Sequence, residues 1–110
     1  MRELEGFASG RPSEEELWRR WLSCPWVRRF ERGECDADSF SQGMVESWSM
    51  GVGATEFLEA FASWPRGPLP GARDLVHSLR AELRAGCLSN TNSLHPERRR
   101  SEFGIDELLE

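Results

Sequence analysis

The sequence predicts a mainly α-helical chain with a short α/β piece toward its C-terminal end. Three observations carry that prediction. Apolar residues recur at helical spacing in five stretches between Leu17 and Leu83. Pro25, Gly33, Gly51-Val52-Gly53 and Pro65 punctuate those stretches. A short apolar run, Ala85-Gly86-Cys87-Leu88, then stops abruptly at Ser89-Asn90-Thr91-Asn92, and a helical pattern resumes near His95. Helix, short strand, polar loop, helix is the order found in parallel sheets.

Residues 1–12 carry no clear period and end in Gly10-Arg11-Pro12, which reads as an irregular leader. Ser13 followed by Glu14-Glu15-Glu16 is a capping box that opens the first long helix, with acids at its positive end. Leu17, Trp18, Trp21 and Leu22 share one face of it. Pro25 suits the first turn of a second helix, with Trp26, Val27 and Phe30 on its apolar face. A cap at or near Asp36 opens a third, bearing Phe40, Met44, Val45 and Trp48. Thr55 and Glu56 open a fourth, with Phe57, Leu58, Phe61 and Trp64. Four short amphipathic helices over 13–65 make a bundle, because each has one face to bury. Arg66-Gly67-Pro68-Leu69-Pro70-Gly71 then reads as a hinge into the piece at 66–110. That piece opens on a fifth helix with Ala72, Leu75, Val76, Leu79 and Leu83 in register.

Composition narrows the function. At 110 residues, with 38% apolar and 30% charged residues, the chain has an ordinary globular make-up. All 14 cations are arginine, and only four acids are aspartate: Asp36, Asp38, Asp74 and Asp106. Chemistry that needs lysine lies outside this chain. A net charge of −5 with no basic stripe argues against nucleic acid as a partner. No apolar run reaches the roughly 20 residues of a membrane span, and the first residues lack the apolar core of a secretion signal. Cys24, Cys35 and Cys87 are odd in number and widely spaced, which fits a reducing cytoplasm. They show no metal-ligand spacing with each other or with His77 and His95.

The polar loop is the candidate site. A Ser hydroxyl and successive backbone amides in such a loop hold anions such as phosphate. Cys87-Leu88-Ser89-Asn90-Thr91-Asn92 with His95 resembles the second motif of the haloacid dehalogenase (HAD) superfamily, in its "LSNTN…H" form. Leu69-Pro70-Gly71-Ala72 is similar to the family's approach to that motif, and Phe103-Gly104-Ile105-Asp106-Glu107-Leu108-Leu109 to the segment leading into its next strand. Phe30-Glu31-Arg32-Gly33-Glu34-Cys35-Asp36 with Phe40 resembles the four-helix cap of members similar to glucose-1-phosphate phosphatase.

The resemblance implies a helical cap followed by part of a Rossmann-like core, and hydrolysis of phosphate esters of small metabolites through an aspartyl-phosphate. It implies phosphate contacts at Ser89 and Asn90, with Thr91, Asn92 and His95 on the substrate side. For the complete family enzyme it implies Mg²⁺, with no metal ligand and no catalytic residue in this chain. The family's nucleophile is an Asp-x-Asp at a strand end, and its charge-steadying group is a lysine. Residues 1–12 contain no aspartate, and no lysine exists. The expectation is therefore a fragment that is inactive by itself, a phosphatase in kind more than a dehalogenase.

Other features have plainer readings. Asp36-Ala37-Asp38 has the nucleophile spacing but sits at a helix start, where acids serve as caps. Arg98-Arg99-Arg100 reads as a solvated face, the tryptophans as bundle core, and Cys87 as a small buried hydrophobe. His95 stands equally as a phosphate-side residue or as the start of a helix before Pro96. The alternative function is a non-catalytic helical module that binds or oligomerises, self-associating through the exposed strand.

Overall fold

The computed structural model describes residues 2–109, with every side chain among them except those of Arg2 and Arg98. Among the described residues eight helices run in order: α1 (Arg2–Glu5), α2 (Glu14–Ser23), α3 (Pro25–Glu31), α4 (Ala37–Ser47), α5 (Ala54–Ser63), α6 (Ala72–Arg80), α7 (His95–Ser101) and α8 (Ile105–Leu109). They divide into two compact units, Met1–Trp64 and Pro65–Glu110.

In the N-terminal unit the helices begin where polar side chains satisfy free amides. The Ser13 hydroxyl accepts from the Glu16 amide at 3.3 Å, and the Glu16 carboxylate accepts from the Ser13 amide at 2.8 Å. Asp36 caps α4 by accepting from the Ser39 amide at 2.7 Å. These ends fix which faces turn inward. Leu17, Val27, Phe30, Phe40, Met44, Trp48, Phe57 and Phe61 are all buried. Phe30 stacks on Phe40 with centroids 4.3 Å apart, and Phe40 meets Phe61 at 5.1 Å. Such pairs add about 0.5–1.5 kcal/mol each beyond the area they bury. Trp21 touches both Trp48 and Trp64, so these tryptophans belong to the packed bundle, whereas Trp18 is exposed. The leader is not wholly irregular. Leu4 is completely buried and Phe7 meets Phe57 edge-on, which anchors α1 to the unit.

The C-terminal unit departs from the sequence expectation. Residues 84–92 carry no regular secondary structure, and no strand occurs among the described residues. The helix-strand-helix piece of a Rossmann-like core is therefore not what this chain forms. A strand exists by sharing a hydrogen-bond ladder with a neighbour, and no described segment of the unit supplies one. Gly86 brings no side chain to pack, and Leu88 lies fully in solvent. Cys87, expected inside that strand, is exposed too. The segment that resembles the family's lead toward a next strand forms α8, whose Leu108 is buried.

Hydrogen bonds from long side chains hold this unit together. Arg73 donates to the Phe103 carbonyl, and Arg80 donates to the Leu108 carbonyl at 2.6 Å. Asp106 receives Arg99 at 3.3 Å and Arg100 at 3.0 Å, tying α7 to α8. Meanwhile α6 leaves Leu75 and Leu79 exposed on its apolar stripe, with Leu83 exposed just beyond.

Candidate functional site

The C-terminal unit holds an open cleft of about 390 Å³. That volume lies within the range of small-molecule sites. Ser89, Asn90 and Thr91 line it together with Cys87, His95 and Arg99. Pro65, Arg66, Gly67 and Pro68 contribute from the turn before α6, and Phe103 and Ile105 supply apolar surface.

Local chemistry builds this arrangement. Gly67 has φ of +91°, and a Cβ placed there would lie 3.0 Å from the Phe103 ring. Glycine is what permits both the left-handed turn and the close approach of the aromatic floor. At the other end, the Asn92 side-chain carbonyl accepts from the Leu94 amide at 3.0 Å. This Asx turn leads the chain into α7.

The same Asn92 orients the histidine. Because its oxygen is engaged by Leu94, its amide nitrogen faces His95 Nδ1, at 3.1 Å. Nδ1 is then an acceptor, and the neutral ring carries its proton on Nε2. Four of the five site residues expected from the sequence, Ser89, Asn90, Thr91 and His95, thus line one cleft. Asn92 does not line it and acts on it through His95.

Two further cleft residues were not legible as such. Arg66 and Arg99 both line it. Arg99 belongs to the triple-arginine run, but consecutive helical residues point about 100° apart, so a run does not act as one face. Arg99 is anchored by Asp106, and its Nε is buried with no hydrogen-bond partner. A buried donor left in that state costs about 1–3 kcal/mol.

The electrostatics are one-sided. Among the described residues no carboxylate lines the cleft, although acids outnumber cations in the chain by 19 to 14. The arrangement offers hydroxyls, amides, an imidazole and two guanidinium groups, all able to donate to an anion. Among the described residues it offers no carboxylate nucleophile.

The Asp36-Ala37-Asp38 triplet lies in the other unit, with Asp36 occupied as the α4 cap. Cys35 is there also, and burial pushes its thiol pKa up, which disfavours the reactive thiolate. The residues present do not fit Mg²⁺: among the described residues no three His, Cys, Asp or Glu side chains gather as ligands. No helix among the described residues is long and apolar enough to cross a membrane.

No protein-family model matches this chain, and no curated protein or solved structure matches it.

Proposed function

We propose that this chain is the phosphate-contacting part of a HAD-like hydrolase, with a helical cap unit, that takes small phosphorylated metabolites. The observation that carries the reading is the cleft itself. The loop that resembles the family's second motif opens onto a pocket lined by Arg66 and Arg99 and, among the described residues, by no carboxylate. Ser89 donates its hydroxyl to a phosphoryl oxygen, Asn90 and Thr91 stand beside it, and the guanidinium groups offset the charge. The reading rests on loop and cleft, not on a sheet.

The chain alone binds such a ligand without turning it over. The four aspartates all lie outside the cleft lining, and there is no lysine. No step is assigned to Mg²⁺, since the donors it needs are not gathered among the described residues. The three free thiols fit a cytoplasmic setting.

An aryl phosphate tests this directly. The reading expects saturable binding that Ser89→Ala weakens, and no hydrolysis above background with Mg²⁺ present. Turnover abolished by Ser89→Ala overturns the inactive-fragment part. Absence of binding overturns the phosphate part.

A second reading, a self-associating module, draws support from α6. Leu75, Leu79 and Leu83 form an exposed apolar stripe, which a second copy of this chain would cover by two-fold pairing. Light scattering decides it: a dimer dissociated by Leu75→Glu supports the pairing, and a monomer at all concentrations rejects it.

A further inference from the structure

We infer that the cleft takes a phosphate monoester whose organic part is a flat aromatic ring, and that Phe103 sets this preference; the inference rests on the phosphate-site reading above. The cleft, at about 390 Å³, has the size that holds a whole small organic molecule, not a lone phosphate. Ser89, Asn90 and Thr91 serve the phosphoryl group. Pro65, Pro68, Phe103 and Ile105 give the same cleft its apolar surface. All four are only half-buried, so that surface is open to a ligand.

Phe103 is also held in place. The Gly67 backbone lies against its ring, where a Cβ would sit 3.0 Å from the nearest ring atom. Arg73 donates to the Phe103 carbonyl, which anchors the backbone behind the ring. A fixed, half-buried aromatic ring offers a stacking surface, and rings pair offset or edge-on with centroids roughly 4.5–7 Å apart. A polyhydroxylated group fits worse. Set against these apolar residues, its hydroxyls lose water without gaining partners. Among the described residues no carboxylate lines the cleft to accept from them. An aryl phosphate and a nucleoside monophosphate share the required chemistry and differ in the span from phosphate to ring.

The test uses the full chain at about pH 8, where phosphate monoesters are dianions. Titration calorimetry compares phenyl phosphate, cyclohexyl phosphate, adenosine monophosphate, a hexose phosphate and inorganic phosphate. Phenyl phosphate is expected to bind about threefold to tenfold tighter than cyclohexyl phosphate, whose ring is apolar but not flat. The hexose phosphate is expected to bind no tighter than inorganic phosphate. Phenyl phosphate is also expected to move the Ile105 methyl signals by its ring current, and cyclohexyl phosphate is not. Phe103→Leu keeps apolar bulk, and is expected to abolish the preference for phenyl over cyclohexyl while leaving inorganic phosphate binding unchanged. A Phe103 that only supports the fold predicts equal weakening of every ligand instead, and that result overturns the inference.

Adenosine monophosphate binding tighter than phenyl phosphate, with the same dependence on Phe103, supports the inference with a nucleotide as the source. The reverse order supports it with a ring attached directly to the phosphate. If Phe103→Leu fails to fold, the ligand series on the wild-type chain decides. Equal affinity for phenyl and cyclohexyl phosphate, or tightest binding of the hexose phosphate, overturns the inference and leaves the phosphate site standing. So does a preference for phenyl phosphate that Phe103→Leu retains. No binding of any of the five ligands overturns both.

Discussion

Asn92 meets the edge of the His95 ring through its side-chain amide. Its amide nitrogen meets Nδ1 at 3.1 Å while its oxygen is pinned by the Leu94 amide. The pairing assigns the ring proton to Nε2. Nitrogen-15 spectra of the imidazole are expected to show Nδ1 unprotonated at neutral pH. Asn92→Asp places a charged acceptor beside Nδ1. That variant is expected to shift the proton toward Nδ1 and raise the histidine's pKa. An unchanged tautomer in Asn92→Asp contradicts the contact.

The N-terminal caps predict an acid-sensitive unit. The Ser13 amide bonding to Glu16 holds its carboxyl below the usual range, and the Ser39 amide does the same for Asp36. Their native pKa values lie below the unfolded ones, so the unfolded chain binds protons more readily. The stability they add is complete above the ordinary carboxylate values of about 4 and is lost as pH falls through the depressed native values. Urea midpoints are expected to drop on acidification from about pH 5 downward. The double variant Glu16→Gln and Asp36→Asn keeps capping groups without titrating, and is expected to flatten that drop. A profile equally steep in the variant counts against the caps as its source.

Removing a cap outright has a separate expected size. Ser13→Ala deletes the acceptor for the Glu16 amide. The change is expected to cost about 1 kcal/mol in denaturant unfolding. A cost near zero shows α2 starting without its capping box.

Gly43 is the clearest steric prediction. The Trp26 indole fills the space that a Cβ on Gly43 requires. Helix propensity alone favours alanine over glycine by about 1 kcal/mol. Overpacking costs about 1–3 kcal/mol and opposes it. Gly43→Ala is therefore expected to lower the melting temperature, and adding Trp26→Ala is expected to recover part of the substitution's own cost. A higher melting temperature in Gly43→Ala alone contradicts the contact.

Sequence made the N-terminal unit legible because its signals are local. Ser13 with Glu16, Pro25 and Asp36 each start a helix through atoms within one turn. The apolar residues between them repeat at helical spacing. The run 85–88 failed as a strand because a strand's hydrogen bonds are made with a distant segment, which local pattern does not reveal. The loop at 89–91 was legible from its polar residues. Arg99 was hidden in a run of three arginines, and only the fold separates it from Arg100. Leu108 gave no sign of its burial, since α8 spans only five residues, too few for a clear period.

The account's central claim is that the 89–91 loop and its cleft form a phosphate site. Amide chemical-shift mapping of the full chain during titration with inorganic phosphate tests it most directly. The account predicts saturable shifts confined to Ser89, Asn90, Thr91, His95 and Arg99, absent in Ser89→Ala. No saturable shift, or shifts centred on the N-terminal unit instead, contradicts it.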